Sequence, residues 1–111
     1  MDADAVFKAL ADANRRKLLD RLFERNGQTL TELCVDLDMT RQAVAKHLLV
    51  LERANLVATE KRGRDKLHYL NPAPIHAIAE RWMAKYERSR LHALSELKNR
   101  LEGQTRTPHE S

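Results

Sequence analysis

The segment Thr40-Arg-Gln-Ala-Val-Ala-Lys-His-Leu-Leu-Val-Leu51 has the pattern of an amphipathic helix opened by a threonine cap. Val44, Leu48 and Leu51 recur at helical spacing and predict a core-facing stripe. Arg41, Gln42, Ala45 and Lys46 fall on the opposite side, near the N-terminal end. That end offers polar and basic groups with little bulk around them. An α-helix fits the major groove of DNA, where guanidinium and carboxamide groups pair with base edges. Just upstream, Thr29 to Leu37 reads as a shorter helix, and only Asp38 and Met39 separate the two. Thr29-Leu-Thr-Glu32 has the spacing of a capping box for that first helix. Two helices joined by a tight turn, with basic tips, form the arrangement of DNA-reading proteins.

Working toward the C-terminus, Asn55 tolerates a left-handed backbone and stops the second helix near Arg53. Leu56 to Lys61 and Lys66 to Leu70 read as two strands joined by Arg62-Gly63-Arg64-Asp65, with Gly63 supplying the turn. A hairpin appended to such a helix pair is a wing. Its cations, Lys61, Arg62, Arg64 and Lys66, suit contact with backbone phosphates or a neighbouring minor groove.

Working toward the N-terminus, residues 3 to 11 place Val6, Phe7 and Leu10 on one helical face. Asp12 then caps a helix whose apolar stripe is Leu18, Leu19, Leu22 and Phe23, ended by Asn26-Gly27. Gln28 to Leu30 reads as a short extended link. Lys17 reads as part of a solvated face, whereas Arg15 and Arg16 stay open between solvation and phosphate contact.

Beyond the hairpin, Asn71-Pro-Ala-Pro74 opens a last helix, where proline is tolerated in the first turn. Ile75, Ile78, Ala79, Trp82 and Tyr86, then Leu94, Leu97 and Leu101, keep three- and four-residue spacing. Such a helix is roughly 40 Å long. A compact domain of about 100 residues has a radius of gyration near 13 Å, so the far half needs a partner. A second copy is the simplest one, giving a symmetric dimer. The expected interface is Val6 and Leu10 of the first helix with Trp82, Tyr86, Leu94, Leu97 and Leu101 of the last. The expected organisation is one winged helix-turn-helix domain over 1–102, including a dimerisation helix over 74–102, then a disordered polar tail over 103–111. The fold class is mainly α, about five helices plus the hairpin.

Composition agrees with one small helical domain. The 111 residues are 42% hydrophobic but only 5% aromatic, with three glycines and three prolines, so the core must be largely Leu, Val and Ala. The net charge of +4 is unevenly spread. Residues 1–40 carry six Lys and Arg against eight Asp and Glu, residues 41–66 seven against three, and 67–111 seven against five. Positive charge is therefore densest in the reading helix and wing, as a phosphate-facing surface requires. A single cysteine, Cys34, excludes an internal disulfide framework and fits a reducing compartment. No apolar run is long enough to span a bilayer, so no membrane partner is expected and the protein should be soluble and intracellular.

Taken together, Ala9-Leu-Ala-Asp12 with Arg15-Arg16, Thr31-Glu-Leu33, Val44-Ala-Lys-His-Leu48 with Leu51, and Gly63 followed by His68-Tyr69 resemble the ArsR (arsenic-repressor-like) family of bacterial winged-helix transcription regulators. The motifs span nearly the whole chain in the family's order. Met39 to His47 and Lys66 to Pro72 look like a subgroup that often lies beside genes for START-like ligand-binding domains and carries no metal site. The resemblance implies a homodimer through the first and last helices, double-stranded DNA as partner, and repression of the regulator's own operon. It implies Thr40, Arg41, Gln42, Ala45, Lys46 and His47 as the DNA-facing set, with Arg62, Arg64 and Lys66 added by the wing. Family members commonly carry serine where Ala45 stands; alanine loses the hydroxyl but still reaches a thymine methyl. Arg41 and Gln42 are the expected base readers, for guanine and adenine edges respectively.

Glu32-Leu-Cys-Val-Asp-Leu37 looks like the metalloid-binding stretch of the founding members, but Asp36 stands where a second cysteine is usual. One thiolate does not make a soft-ion site, so Cys34 reads as a small buried apolar residue. His92 and Glu96 form an i, i+4 pair, read as solvated, and His76 lies far from them. No metal and no cofactor is expected, and no inducing ligand is legible. The alternatives are a winged-helix protein-interaction module, disfavoured by the polar face, and a metalloid- or redox-responsive repressor using Cys34. An enzyme is not expected: the sequence has no glycine-rich phosphate loop, no nucleophile–base pattern and no paired carboxylates.

Overall fold

The computed structural model describes the backbone of residues 2–110 and the side chains of residues 2–103. The order is α1 (Ala3–Leu10), α2 (Ala13–Glu24), α3 (Leu30–Leu33), α4 (Arg41–Arg53), β1 (Val57–Arg62), β2 (Asp65–Leu70) and α5 (Ala73–Glu110). Most of the chain through Ala77 forms one compact unit, and the rest of α5, from Ile78, forms a second. The tail expected over 103–111 falls, apart from helical Gly103, on side chains outside the described residues.

Polar side chains open four helices. Asp2, Asp12, Thr29 and Thr40 are the caps of α1 to α4, each accepting a hydrogen bond from a first-turn amide. At α3 the capping box is complete: the Glu32 amide donates to Thr29 Oγ1 at 3.2 Å, and the Thr29 amide to Glu32 Oε1 at 3.1 Å. Arg25 also pairs with Glu32. The Arg25 hydrogen bond first, then the Thr29 amide, hold the Glu32 carboxyl below the usual glutamate range. A group with a depressed folded pKa adds stability above its ordinary value and loses it as pH falls through the depressed one. The urea midpoint should therefore drop below about pH 4. Glu32→Gln should flatten that part of the pH profile, and an unchanged profile would remove Glu32 from the account.

The core of the first unit is aliphatic, as composition requires. Val6 and Ala9 of α1, Leu18 and Leu22 of α2, Leu33 of α3, Val44 and Leu51 of α4 and Leu56 are sealed from solvent. α4 lies centrally, packed on α1, α2, α3 and β1. Two expectations about this layer need correcting. Phe23 was expected inward but is 81% exposed, because Leu18, Leu19 and Leu22 already fill the buried arc of α2. Val6 was expected at a dimer surface but is fully buried within its own chain, while the adjacent Phe7 is 49% exposed. Leu10 is half-buried.

The basic run of α2 has a structural use. Arg15 donates from Nε to the Ala9 carbonyl at 2.7 Å and from Nη2 to the Lys8 carbonyl at 2.9 Å, and Arg16 reaches the Leu10 carbonyl at 2.6 Å. These are C-terminal carbonyls of α1, which have no partner inside their own helix. Arg21 does the same for the Leu33 and Val35 carbonyls below α3. That capture shortens α3 relative to the expected Thr29–Leu37 span. The chain turns away after Leu33, with Asp36 at φ 57°, so residues 34–40 form the connection rather than Asp38 and Met39 alone.

The hairpin is tighter than expected. Arg62 pairs with Asp65, leaving Gly63 and Arg64 as a two-residue loop, with Gly63 at φ 64°. Glycine at the first central position of such a loop suits a type II′ turn. Val57 opposes Leu70, Thr59 opposes His68 and Lys61 opposes Lys66. The base of β2 is sewn to the segment before α3. The Gly27 amide donates to the His68 carbonyl at 2.8 Å, and the His68 amide and ring Nδ1–H donate to the Gln28 carbonyl at 2.8 and 2.9 Å. Gln28, buried like His68, turns its amide to the Arg21 and Arg25 carbonyls at the end of α2. Gly27, at φ 80°, lies so close to the Tyr69 ring that a Cβ would stand 3.3 Å from it.

Candidate nucleic-acid interface

α4 divides its side chains cleanly. Val44, Leu48 and Leu51 are buried, and Arg41, Gln42, Ala45 and Lys46 are exposed together with the cap Thr40. Thr40 spends Oγ1 as an acceptor from the Ala43 amide at 3.1 Å, which leaves its hydroxyl proton for an outside acceptor. Arg41 Nη1 donates to Thr31 Oγ1 at 2.9 Å, so α3 holds the guanidinium while its other N–H groups stay outward. Gln42 and Lys46 project from the same surface, with Ala45 between them as the smallest side chain there.

His47 is placed differently from its expected DNA-facing companions. It is half-buried on the flank of α4, with Nδ1 3.3 Å from Arg15 Nη1. Arg15 also lies 3.9 Å from Asp12. Burial pushes the Asp12 carboxyl up, but the Arg15 and Asn14 amides and the nearby charges of Arg15 and His47 outweigh it, leaving its pKa lowered. His47 thus joins α4 to the α1–α2 corner.

Between α3, α4 and the wing runs a groove of about 320 Å³, floored by Ala45, Leu48 and His68. Arg41 lines one wall, with Thr29 and Thr31 beside it, and Arg64 and Lys66 line the other. The cations around it differ in their state. Lys66 Nζ lies 3.2 Å from Glu52 Oε1, and Arg62 lies 3.4 Å from Glu60 on the exposed strand. Arg41, Lys46, Lys61 and Arg64 have no acidic partner among the described residues. Lys61, already named among the wing cations suited to phosphate, is one of these four. Arg15 and Arg16, open in the sequence between solvation and phosphate contact, are bound to carbonyls of α1, and Arg21 is bound to the Leu33 and Val35 carbonyls. A polar helix end and a cationic hairpin flanking one groove make a surface suited to a DNA strand.

Cys34 is half-buried at the end of α3 rather than sealed in the core. No group of three or more His, Cys, Asp or Glu able to hold a metal ion occurs among the described residues. His92 and Glu96 form their expected pair at 3.1 Å on the exposed surface of α5. Among the described residues, no helix is long and apolar enough to cross a membrane.

The helix pair and wing define a winged helix-turn-helix protein. A helix-turn-helix domain model matches residues 10–60. The uncharacterized HTH-type transcriptional regulator YuzN of Bacillus subtilis is 45% identical over 86 residues, covering 72% of this chain and 94% of the relative. An ArsR-like transcriptional regulator from Rhodococcus sp. RHA1 is 35% identical, with a TM-score of 0.70 over 86% of this chain and 91% of that one. The crystal structure of an ArsR family transcriptional regulator is 34% identical, with a TM-score of 0.65 over 77% and 86% of the two chains. The chain belongs to the ArsR family of winged helix-turn-helix, DNA-binding transcription regulators.

Proposed function

We propose that the protein acts in the cytoplasm as an autoregulatory repressor that binds an inverted-repeat operator as a homodimer. The observation that carries this reading is the exposed polar end of α4 facing the wing across one groove, with four cations unneutralised by acids among the described residues. In this reading Arg41 and Gln42 read bases, Ala45 touches a thymine methyl, and Thr40, Lys46, Lys61, Arg62 and Arg64 contact backbone or groove. The dimer joins through exposed apolar side chains: Phe7 with half-buried Leu10 of α1, and Trp82, Tyr86, Leu94, Leu97 and Leu101 of α5. A dimer seated across a promoter excludes polymerase from it, which is why repression is favoured over activation. The chemistry is binding and release, without turnover.

Nuclease footprinting on the DNA upstream of the protein's own gene tests this. Two protected half-sites about 10–10.5 base pairs apart, or a multiple of that, are expected. Affinity should fall steeply between about 50 and 200 mM salt. Absence of protection at low salt would refute it.

A further inference from the structure

We infer that Lys66 is a positioning residue that tethers the wing to α4 through Glu52, and that Lys61 makes the wing's phosphate contact beside Arg64. The inference rests on the DNA-binding reading above and assigns Lys66 a different role from the one its sequence suggests.

Successive β2 side chains alternate between faces, so Lys66 shares a face with His68. His68 is buried and bound to Gln28, which turns that face toward the helices at its base. Glu52 meets Lys66 from α4 at 3.2 Å, with its side chain only 22% exposed. A partly shielded carboxylate is stabilised by a cation beside it. Glu52 also sits one residue from the end of α4, where the helix dipole disfavours negative charge. A local conflict of this kind points to a tertiary role, and Lys66 supplies it.

The ladder assigns Lys61 the complementary part. Lys61 stands directly across from Lys66, and like charges so placed repel. Pairing Lys66 with Glu52 relieves that repulsion. It leaves Lys61 and Arg64 as wing cations without an acidic partner among the described residues, and they line one shallow depression together with Thr59, Asp65 and the tethered Lys66. A lysine already neutralised by a carboxylate displaces few counterions when a phosphate approaches; a free one displaces its full share. Glu52 and Lys66 line the same groove as Arg41 and Arg64, so the tether sets the separation between the α4 and wing cations.

The experiment uses the full chain and a duplex carrying the footprinted site, with fluorescence anisotropy across a salt series. Lys66→Ala and Glu52→Gln should each weaken binding about three- to tenfold with the salt slope unchanged. Their double variant should be no weaker than either, because the two act as one unit. Lys61→Ala should lower the slope by about two, one phosphate contact per protomer. Tighter binding by Glu52→Gln, or a slope reduced by Lys66→Ala and not by Lys61→Ala, would overturn the inference. Hydrogen exchange on the DNA-free protein separates this failure from that of the DNA reading. Glu52→Gln and Lys66→Ala should speed exchange in the hairpin amides of Glu60 to Lys66, and Lys61→Ala should not. Unaltered exchange in the first two variants would refute the tether even where no duplex binds.

Discussion

Arg41→Ala is expected to lower affinity for the cognate operator by about 1–3 kcal/mol per half-site and to relax base preference at one position of each. The guanidinium is the most strongly directed group on the exposed end of α4. Its Nη1 is spent on Thr31 Oγ1 at 2.9 Å, which fixes the plane of the fork before any base arrives. Ordering a long side chain costs about 0.5–1.5 kcal/mol when it must happen on binding, and α3 meets part of that cost in advance. The remaining N–H groups are enough for a bidentate contact to guanine O6 and N7. Thr31→Val separates holding from reading: it should weaken operator binding less than Arg41→Ala while leaving the base preference in place. Anisotropy titrations on the operator, on single-base variants and on an unrelated duplex decide the matter. Equal weakening on all three, with a reduced salt slope, would make Arg41 a backbone contact and leave Gln42 as the reader.

The sequence carried the elements of this interface better than the partners of its charges. Caps at Asp12, Thr29 and Thr40 were legible because a helix start is a local event, decided by three or four consecutive residues. The exposed polar face of α4 was legible for a similar reason, since Val44, Leu48 and Leu51 fix which way the helix turns. Charge partners are not local. Arg15 and Lys66 look alike in sequence, basic residues in a basic protein, yet one caps the carbonyl end of α1 and the other meets Glu52 from a different element. Val6 and Phe7 show the same limit on the apolar side. Adjacent residues on a short helix lie about 100° apart, and only the packing of α2 and α4 decides which is covered. The short α3 was likewise hidden, because Arg21 ends it from a distance in sequence.

Replacing Leu94 and Leu97 together by glutamate should yield a monomer that keeps its fold and loses operator binding almost entirely. In the single chain Leu94 is 50% exposed and Leu97 48%, so about half of each surface remains to be buried by a partner. At ~25 cal/mol per Å², finishing that burial is worth about 1 kcal/mol per leucine, or on the order of 4 kcal/mol over the four leucines of a dimer. That corresponds to roughly three powers of ten in the dimer dissociation constant, before the cost of forcing unpaired carboxylates into an apolar seam. An operator read by two helices about 34 Å apart responds to both at once, so a monomer falls back to half-site affinity. The monomer fold is spared because neither leucine belongs to the buried core of residues 1–77. Sedimentation velocity and operator titration should therefore change together while the thermal transition does not. Two substitutions on α1 sharpen the test. Phe7→Glu, at an exposed position, should also weaken the dimer, whereas Val6→Ala should lower stability by about 0.5–2 kcal/mol and leave assembly intact. An unchanged sedimentation coefficient in the double glutamate variant would assign the apolar face of α5 to some other partner.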